Sequence, residues 1–273
     1  MPQPESAGAT CCPAPVQRIG VVVPAKNEAD LILGCLEALA LACTSVDVAV
    51  TVSVVLDDCT DATPDLVAGA AATLGLDLHH REIRSSSVGT ARLLGMTDAV
   101  ARLGVDGTWL ATTDADSVVP PDWLNLQVRY AEAGANVVAG TVAVEDWSER
   151  PAALRRRAEA HYRRRHGRHV HGANLGLRAE SYLAVGGFAA VDCDEDVALV
   201  AALARAGEPI VWPDDLTVTT SSRRVSRAPS GFAAYLDRLE ATEWPHLARL
   251  RVASPTAPAI APTGSTPLPA AST

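Results

Sequence analysis

An α/β fold, with a mostly parallel central sheet and helices on both faces, is what this sequence predicts. Three observations support that expectation. Strand-like and helix-like segments alternate from Arg18 to Thr113, and repeated strand–helix–strand units imply parallel pairing. The chain has 273 residues, enough for one large α/β domain, or two small ones, with a substantial core. Its 48% hydrophobic and 20% charged content is that of a globular protein.

The elements follow in order. Arg18–Val23 (RIGVVV) reads as a strand and Glu28–Ala42 as an amphipathic helix. Val46–Leu56 is rich in β-branched residues and reads as a second strand. Ala62–Leu74 is helical, with Pro64 tolerated in the first turn. Leu76–Ile83 is the third strand, Val88–Leu103 a helix, and Thr108–Thr113 the fourth strand. The second half is less regular. Strands are expected at Asn136–Val144, Asn174–Arg178, Ile210–Trp212 and Leu216–Thr220. Helices are expected at Ala152–His166, Glu195–Ala206 and Ser230–Trp244.

Residues 1–16 form a leader rich in Pro, Ala, Ser and Gly. Residues 246–273 form a Pro/Ala/Thr-rich tail, with Pro at 255, 258, 262, 267 and 269. Such compositions bury too little apolar area to offset chain entropy, so both ends are expected to be disordered. The folded domain is then 17–245.

A net charge of −9 argues against a nucleic-acid binder. Cys11, Cys12, Cys35, Cys43, Cys59 and Cys193 show no paired spacing and no zinc-like His partners. Reduced thiols in a cytoplasmic protein are the expectation. The N-terminus lacks a signal-peptide pattern, and the apolar stretch Leu31–Cys43 is too short to span a bilayer. Any membrane contact is therefore expected to be peripheral.

In parallel sheets ligands bind beyond the carboxyl ends of the strands. That rule gathers three loops on one rim: Pro24–Glu28, Asp57–Asp61 and Thr113–Ser117. Asp114 and Asp116 follow the fourth strand directly. Two acids one residue apart at a strand end can turn toward one hard cation, and Mg²⁺ and Mn²⁺ take carboxylates together with substrate phosphates. In the first loop, PAKNEA, Asn27 and Glu28 open a helix whose first amides are unpaired; they could grip a nucleoside or simply cap the helix. In the second, DDCTDAT, capping explains Asp61 well but not both Asp57 and Asp58, which could accept hydrogen bonds from a ribose or a base. A fourth cluster, Asp192, Asp194, Glu195 and Asp196, precedes a helix. Acids there suit the helix dipole, and a carboxylate so placed could also take a proton from an acceptor hydroxyl.

PAKNEA, DDCTDAT, DAD, and GGF followed by DEDVAL resemble, in that order, the landmarks of glycosyltransferase family 2, whose fold is of the GT-A type. HGANLGLRAESYLAVGGF resembles the stretch that precedes the family's ED element. The resemblance covers roughly 18–240. It implies a Rossmann-like GT-A domain with a nucleotide-sugar-binding half (17–117) and an acceptor-binding half (118–245). It also implies a nucleotide-diphosphate sugar donor, a hydroxyl acceptor and a divalent metal, Mg or Mn. By position, Pro24, Ala25, Asn27, Glu28, Asp57, Asp58 and Asp114 would contact the nucleotide. Asp116, with Asp114, would approach the metal, and Asp196 of the Glu195-Asp196 pair would be the general base of an inverting transfer.

The departures are specific. DDCTD is one residue shorter than the family's usual DDGSTD and carries Cys59 in place of Gly. The QxxRW element and membrane helices of processive synthases are missing, so a single addition is expected. Arg155, Arg156, Arg157, Arg163, Arg164, Arg165 and Arg168 form a basic island, with His161, His166, His169 and His171 among them. It could meet a phosphorylated acceptor or an anionic membrane, or be an exposed helix paired with acids. Arg223 and Arg224 could close over the diphosphate, touch the acceptor or lie in an ordinary surface loop, and His171 could assist the metal, touch diphosphate or acceptor, or be a plain polar loop residue. A homo-oligomer is compatible with this sequence. The alternatives are a nucleotidyltransferase, disfavoured because PAKNEA is not a Gly-rich basic loop, and a non-catalytic nucleotide-sugar sensor.

Overall fold

The structure is a computed structural model and describes residues 14–85, 87–144, 147–148, 150–164, 169–221 and 240, the side chains of 159–164 excepted. Two sheets are formed. The first strands are β1 (Arg18–Ala25), β2 (Ala49–Asp57), β3 (Asp77–Ile83) and β4 (Thr108–Thr112), interleaved with helices α1 (Ile32–Cys43), α2 (Thr63–Thr73) and α3 (Val88–Leu103). Then come β5 (Ser117–Val118), α4 (Trp123–Glu132), β6 (Val137–Ala139), β7 (Thr141–Val144) and α5 (Ala152–Arg164). The remainder is β8 (Leu175–Arg178), α6 (Ala179–Ala184), α7 (Glu195–Arg205), β9 (Ile210–Val211) and β10 (Thr217–Thr220).

The main sheet has seven strands in the order β3-β2-β1-β4-β8-β6-β9. Its first four strands are mutually parallel, and β8 alone runs against its neighbours β4 and β6. The mostly parallel α/β expectation holds. A small sheet, β5-β10-β7, flanks it.

Side-chain alternation along β1 divides the core between the two faces. Ile19, Val21 and Val23 join Ile32, Leu36, Leu39, Val67, Trp123 and Leu124 from α1, α2 and α4. Val22 points the other way, joining Met96, Ala99, Tyr182, Phe188, Leu199 and Leu203 from α3, α6, α7 and the loop before α7. Because α3 packs tightly on β1, a Cβ on Gly20 would sit 3.0 Å from the Ala99 Cβ and one on Gly95 would collide with Val22.

Several elements depart from expectation. Asn136–Val144 is not one strand, since it breaks at Gly140 and passes from the main sheet to the small one. Asn174 causes the break: its amide donates to Thr141 O (2.8 Å) and Leu216 O (2.9 Å) and accepts from Trp123 Nε1 (2.9 Å). The amide fills the space a Cβ at 140 would need. Helix α1 begins at Ile32 rather than Glu28, and the Glu28 and Ala29 amides donate to Thr63 Oγ1 and Asp61 Oδ2. Helices α4 and α6 were not expected. Val16 is buried, and Gln17 N donates to Gly107 O at 2.8 Å, so packing begins just inside the expected leader. The helix expected at Ser230–Trp244, residues 1–13 and the tail from 246 lie outside the described residues, apart from Glu240. No helix among the described residues is long and apolar enough to cross a membrane.

Candidate functional site

Three strand ends and one helix start converge. At the end of β1, Pro24 is half-buried and Ala25 buried, and Asn27 follows at φ +54°. Asp58, after β2, and Asp194, before α7, are the other non-glycine residues with positive φ among the described ones, at +54° and +59°. Asn and Asp tolerate this region better than most residues, and strained backbone tends to collect at functional sites. All three lie in segments the sequence marked out.

The first two loops are bound to each other. Asn27 Oδ1 accepts from Thr60 N at 2.7 Å. Asp61 Oδ1 accepts from Thr63 N (3.0 Å) and Thr63 Oγ1 (2.6 Å), and Glu28 is buried against this turn. Asp58 is half-exposed, with Lys26 Nζ 3.9 Å from its carboxylate. Asp57 is buried and turned toward the loop after β3. Its oxygens accept from Ser85 N (2.8 Å), Ser85 Oγ (3.0 Å) and Ser87 N (3.0 Å). Ser87 caps α3 through Thr90 N and donates to Val191 O at 2.9 Å. Asp57 thus anchors a chain of contacts that reaches the acidic loop before α7.

The acidic pair leaves β4 as expected. The Asp114 carbonyl accepts from Ser117 N (3.0 Å) and from the Cys35 thiol (3.4 Å). Asp116 Oδ1 lies 3.4 Å from both Ser117 Oγ and Thr220 Oγ1, long for bonds to a carboxylate. Ser221 N, just beyond β10, donates to Asp116 O at 3.2 Å. Burial raises the Cys35 thiol's pKa, and the charges of Asp116, Asp114 and Glu28 raise it further. One buried thiol therefore senses carboxylates from both the first and the fourth strand ends.

Arg92 was not foreseen. It lies on α3, is 4% exposed, and donates to Glu195 Oε1 through Nη1 and to Asp114 Oδ1 through Nη2. Burial opposes its charge, but Asp114 and Glu195 outweigh this and hold the proton more firmly than usual. A signal for it existed. Gly89, Arg92, Met96 and Ala99 are spaced as the buried stripe of a helix, and a charge on such a stripe needs carboxylate partners.

Asp196 follows Glu195 in the first turn of α7. Its Oδ2 accepts from Gly172 N (2.6 Å) and its Oδ1 from Val197 N (2.7 Å). Burial raises the pKa of both Glu195 and Asp196, and Arg92 opposes the rise in each. A carboxylate more basic than usual, held by two amides, is suited to accept a proton.

His171 precedes the 3-10 turn Gly172–Asn174, with its ring stacked on His169 at 5.9 Å. Burial and His169 lower its pKa to about 4, against a smaller opposing effect of Asp114. The ring is thus neutral at neutral pH. Unfolded chains bind this proton near 6.5 and the folded one only near 4, so stability falls as the pH drops through that window. His171→Gln is expected to flatten this part of a melting-temperature profile between pH 7 and 4.

The site thus brings together Glu28, Asp114, Asp116, Glu195, Asp196 and His171. Asp57 turns toward Ser85 and Ser87. Arg223 and Arg224 lie outside the described residues, as do Arg165, His166 and Arg168. Arg155 and Arg156 are exposed on α5, beside buried Leu154. Hard carboxylate oxygens at 114 and 116 suit Mg²⁺ or Mn²⁺. No group of three His, Cys, Asp or Glu gathers tightly enough among the described residues to hold an ion unaided. Diphosphate oxygens would have to complete such a shell.

Known proteins resemble this chain in sequence and in fold. The succinoglycan biosynthesis protein ExoO of Rhizobium meliloti (strain 1021) is 37% identical over 129 residues, which is 45% of this chain and 32% of ExoO. The chain therefore spans about a third of the length of that curated relative. Solved structures share the fold, among them the following two. The mannosyltransferase PcManGT from Pyrobaculum calidifontis, in complex with GDP-Man and Mn²⁺, gives a TM-score of 0.60 at 22% identity, over 90% of this chain and 68% of that one. S. aureus TarS 1–349, in complex with UDP-GlcNAc, gives 0.59 at 15% identity, over 83% and 66%. The family model for Glycosyl transferase family 2 matches residues 20–190, and the chain belongs to that family.

Proposed function

We propose that this chain transfers a sugar from a nucleotide-diphosphate sugar to an acceptor hydroxyl, once per encounter and with inversion at the anomeric carbon. The observation that carries this reading is the joining of two acidic segments through one buried guanidinium: Asp114 after β4 and Glu195 at the start of α7. A donor held at the first would thus lie close to the base at the second. The ExoO relative and the nucleotide-sugar complexes of PcManGT and TarS support it.

In this reading Glu28, Asn27 and Asp58 border the nucleoside, and Asp57 stiffens the β3–α3 loop beside it. Asp116, with Asp114, holds a divalent cation on the diphosphate. That cation, when bound, offsets charge on the departing nucleotide diphosphate. Asp114 shares its carboxylate with Arg92. Asp196 takes the proton of the acceptor hydroxyl as its oxygen bonds to the anomeric carbon and the bond to the diphosphate oxygen breaks. His171, neutral, can touch diphosphate or acceptor without adding charge. The free thiols Cys35, Cys43, Cys59 and Cys193 support a reducing compartment such as the cytoplasm.

A melting-temperature panel of UDP- and GDP-sugars, with and without Mn²⁺, tests the reading. A donor at 100 times its Kd is expected to stabilise the fold by about 2.7 kcal/mol, with Mn²⁺ present only. A panel in which no nucleotide sugar raises the midpoint would contradict it.

A further inference from the structure

We infer that Arg92 is a positioning residue that couples the donor-side carboxylate Asp114 to the acceptor-side helix α7, so that each half of the site senses the other. The inference rests on the functional reading above.

The guanidinium is buried and shared. One terminal nitrogen serves Asp114 at the end of β4 and the other serves Glu195 at the start of α7, partners 22 and 103 positions away. Its Nε has no hydrogen-bond partner among the described residues. The two carboxylates therefore set the orientation of the head, and a change at one is passed to the other. Gly172 links this head to Asp196. A Cβ at 172 would collide with the guanidinium, while the Gly172 amide holds Asp196 Oδ2 at 2.6 Å. Movement of Arg92 thus presses on the residue that orients Asp196. Asp114 drawn toward a cation on the donor would leave Glu195 as the stronger partner of Arg92. Linkage makes the effect reciprocal: a change at Glu195 must alter donor affinity. Lysine cannot replace this arrangement, because one point charge does not reproduce a fork that spans two carboxylates.

The test uses Mn²⁺-dependent hydrolysis of UDP-GlcNAc and GDP-mannose by the full chain, with thermal melting as the check on folding. Arg92→Lys is expected to raise donor KM about tenfold. Glu195→Gln, though on the acceptor side, is expected to change donor KM about fivefold or more, and to change it no further in an Arg92→Lys background. A purely structural role would lower the melting point and leave donor KM alone. An effect of Glu195→Gln that is equal in both backgrounds, or absent from the wild-type background, overturns the coupling. Should Arg92→Lys fail to fold, Glu195→Gln alone decides: an altered donor KM supports the coupling and an unaltered one overturns it. A wild-type chain that neither hydrolyses nor is stabilised by any UDP- or GDP-sugar removes both the functional reading and this inference, whereas an active wild type without the coupling removes only the latter.

Discussion

Asp196→Asn is expected to lower sugar transfer by about 10²–10⁴-fold, the contribution typical of a general base, while donor binding stays close to wild type. The amide keeps the size of the side chain and one oxygen, so it can still accept from Gly172 N or Val197 N. What it loses is the basicity that burial has raised. Donor KM should therefore be preserved while kcat collapses, the pattern of an interaction made only in the transition state. The measurement is steady-state transfer kinetics at saturating acceptor. Wild-type turnover in this variant would remove Asp196 from the chemistry.

Asp116→Ala is expected to act on the other half of the reaction. Its carboxylate is weakly engaged by its hydroxyl neighbours, with Ser117 Oγ and Thr220 Oγ1 both at 3.4 Å. Removing it takes one of the two carboxylates of the Asp114/Asp116 pair away from the diphosphate. Loss of a divalent cation from a developing diphosphate costs several kcal/mol, or about 10²–10³-fold in rate. Both transfer and slow donor hydrolysis should fall, and raised Mn²⁺ should restore little. Undiminished Mn²⁺-dependent hydrolysis in Asp116→Ala would move the cation elsewhere. The two variants are separable: the first spares donor hydrolysis relative to transfer, and the second lowers both.

Much of this was readable from the chain because the informative features are local. The strands β1, β2 and β4 carry their β-branched or apolar character within themselves, and α3 begins and ends where its apolar spacing does. The rim loops follow from a rule of parallel sheets. Helix α4 was also readable. Its buried residues Trp123, Leu124, Gln127 and Ala131 have helical spacing, but Pro120-Pro121 reads as loop punctuation in front of them. Other features depend on distant partners. The break at Gly140 is imposed by Asn174 across the sheet, while the sequence around it is a continuous β-forming run. Asp57 looks like a ligand-binding acid in sequence, and its partners Ser85 and Ser87 lie 28 and 30 positions away. Arg92 shows only as a charge on an apolar stripe, and its meaning comes from Glu195 on another helix.

Anomalous diffraction at the manganese edge, from crystals grown with Mn²⁺ and UDP, would measure the central claim most directly. The account predicts one strong peak within about 2.0–2.2 Å of an Asp116 oxygen, in contact with the diphosphate and facing Asp196 across the acceptor side. A nucleotide and metal bound away from Asp116, or with Asp196 on the far side of the sheet, would contradict it.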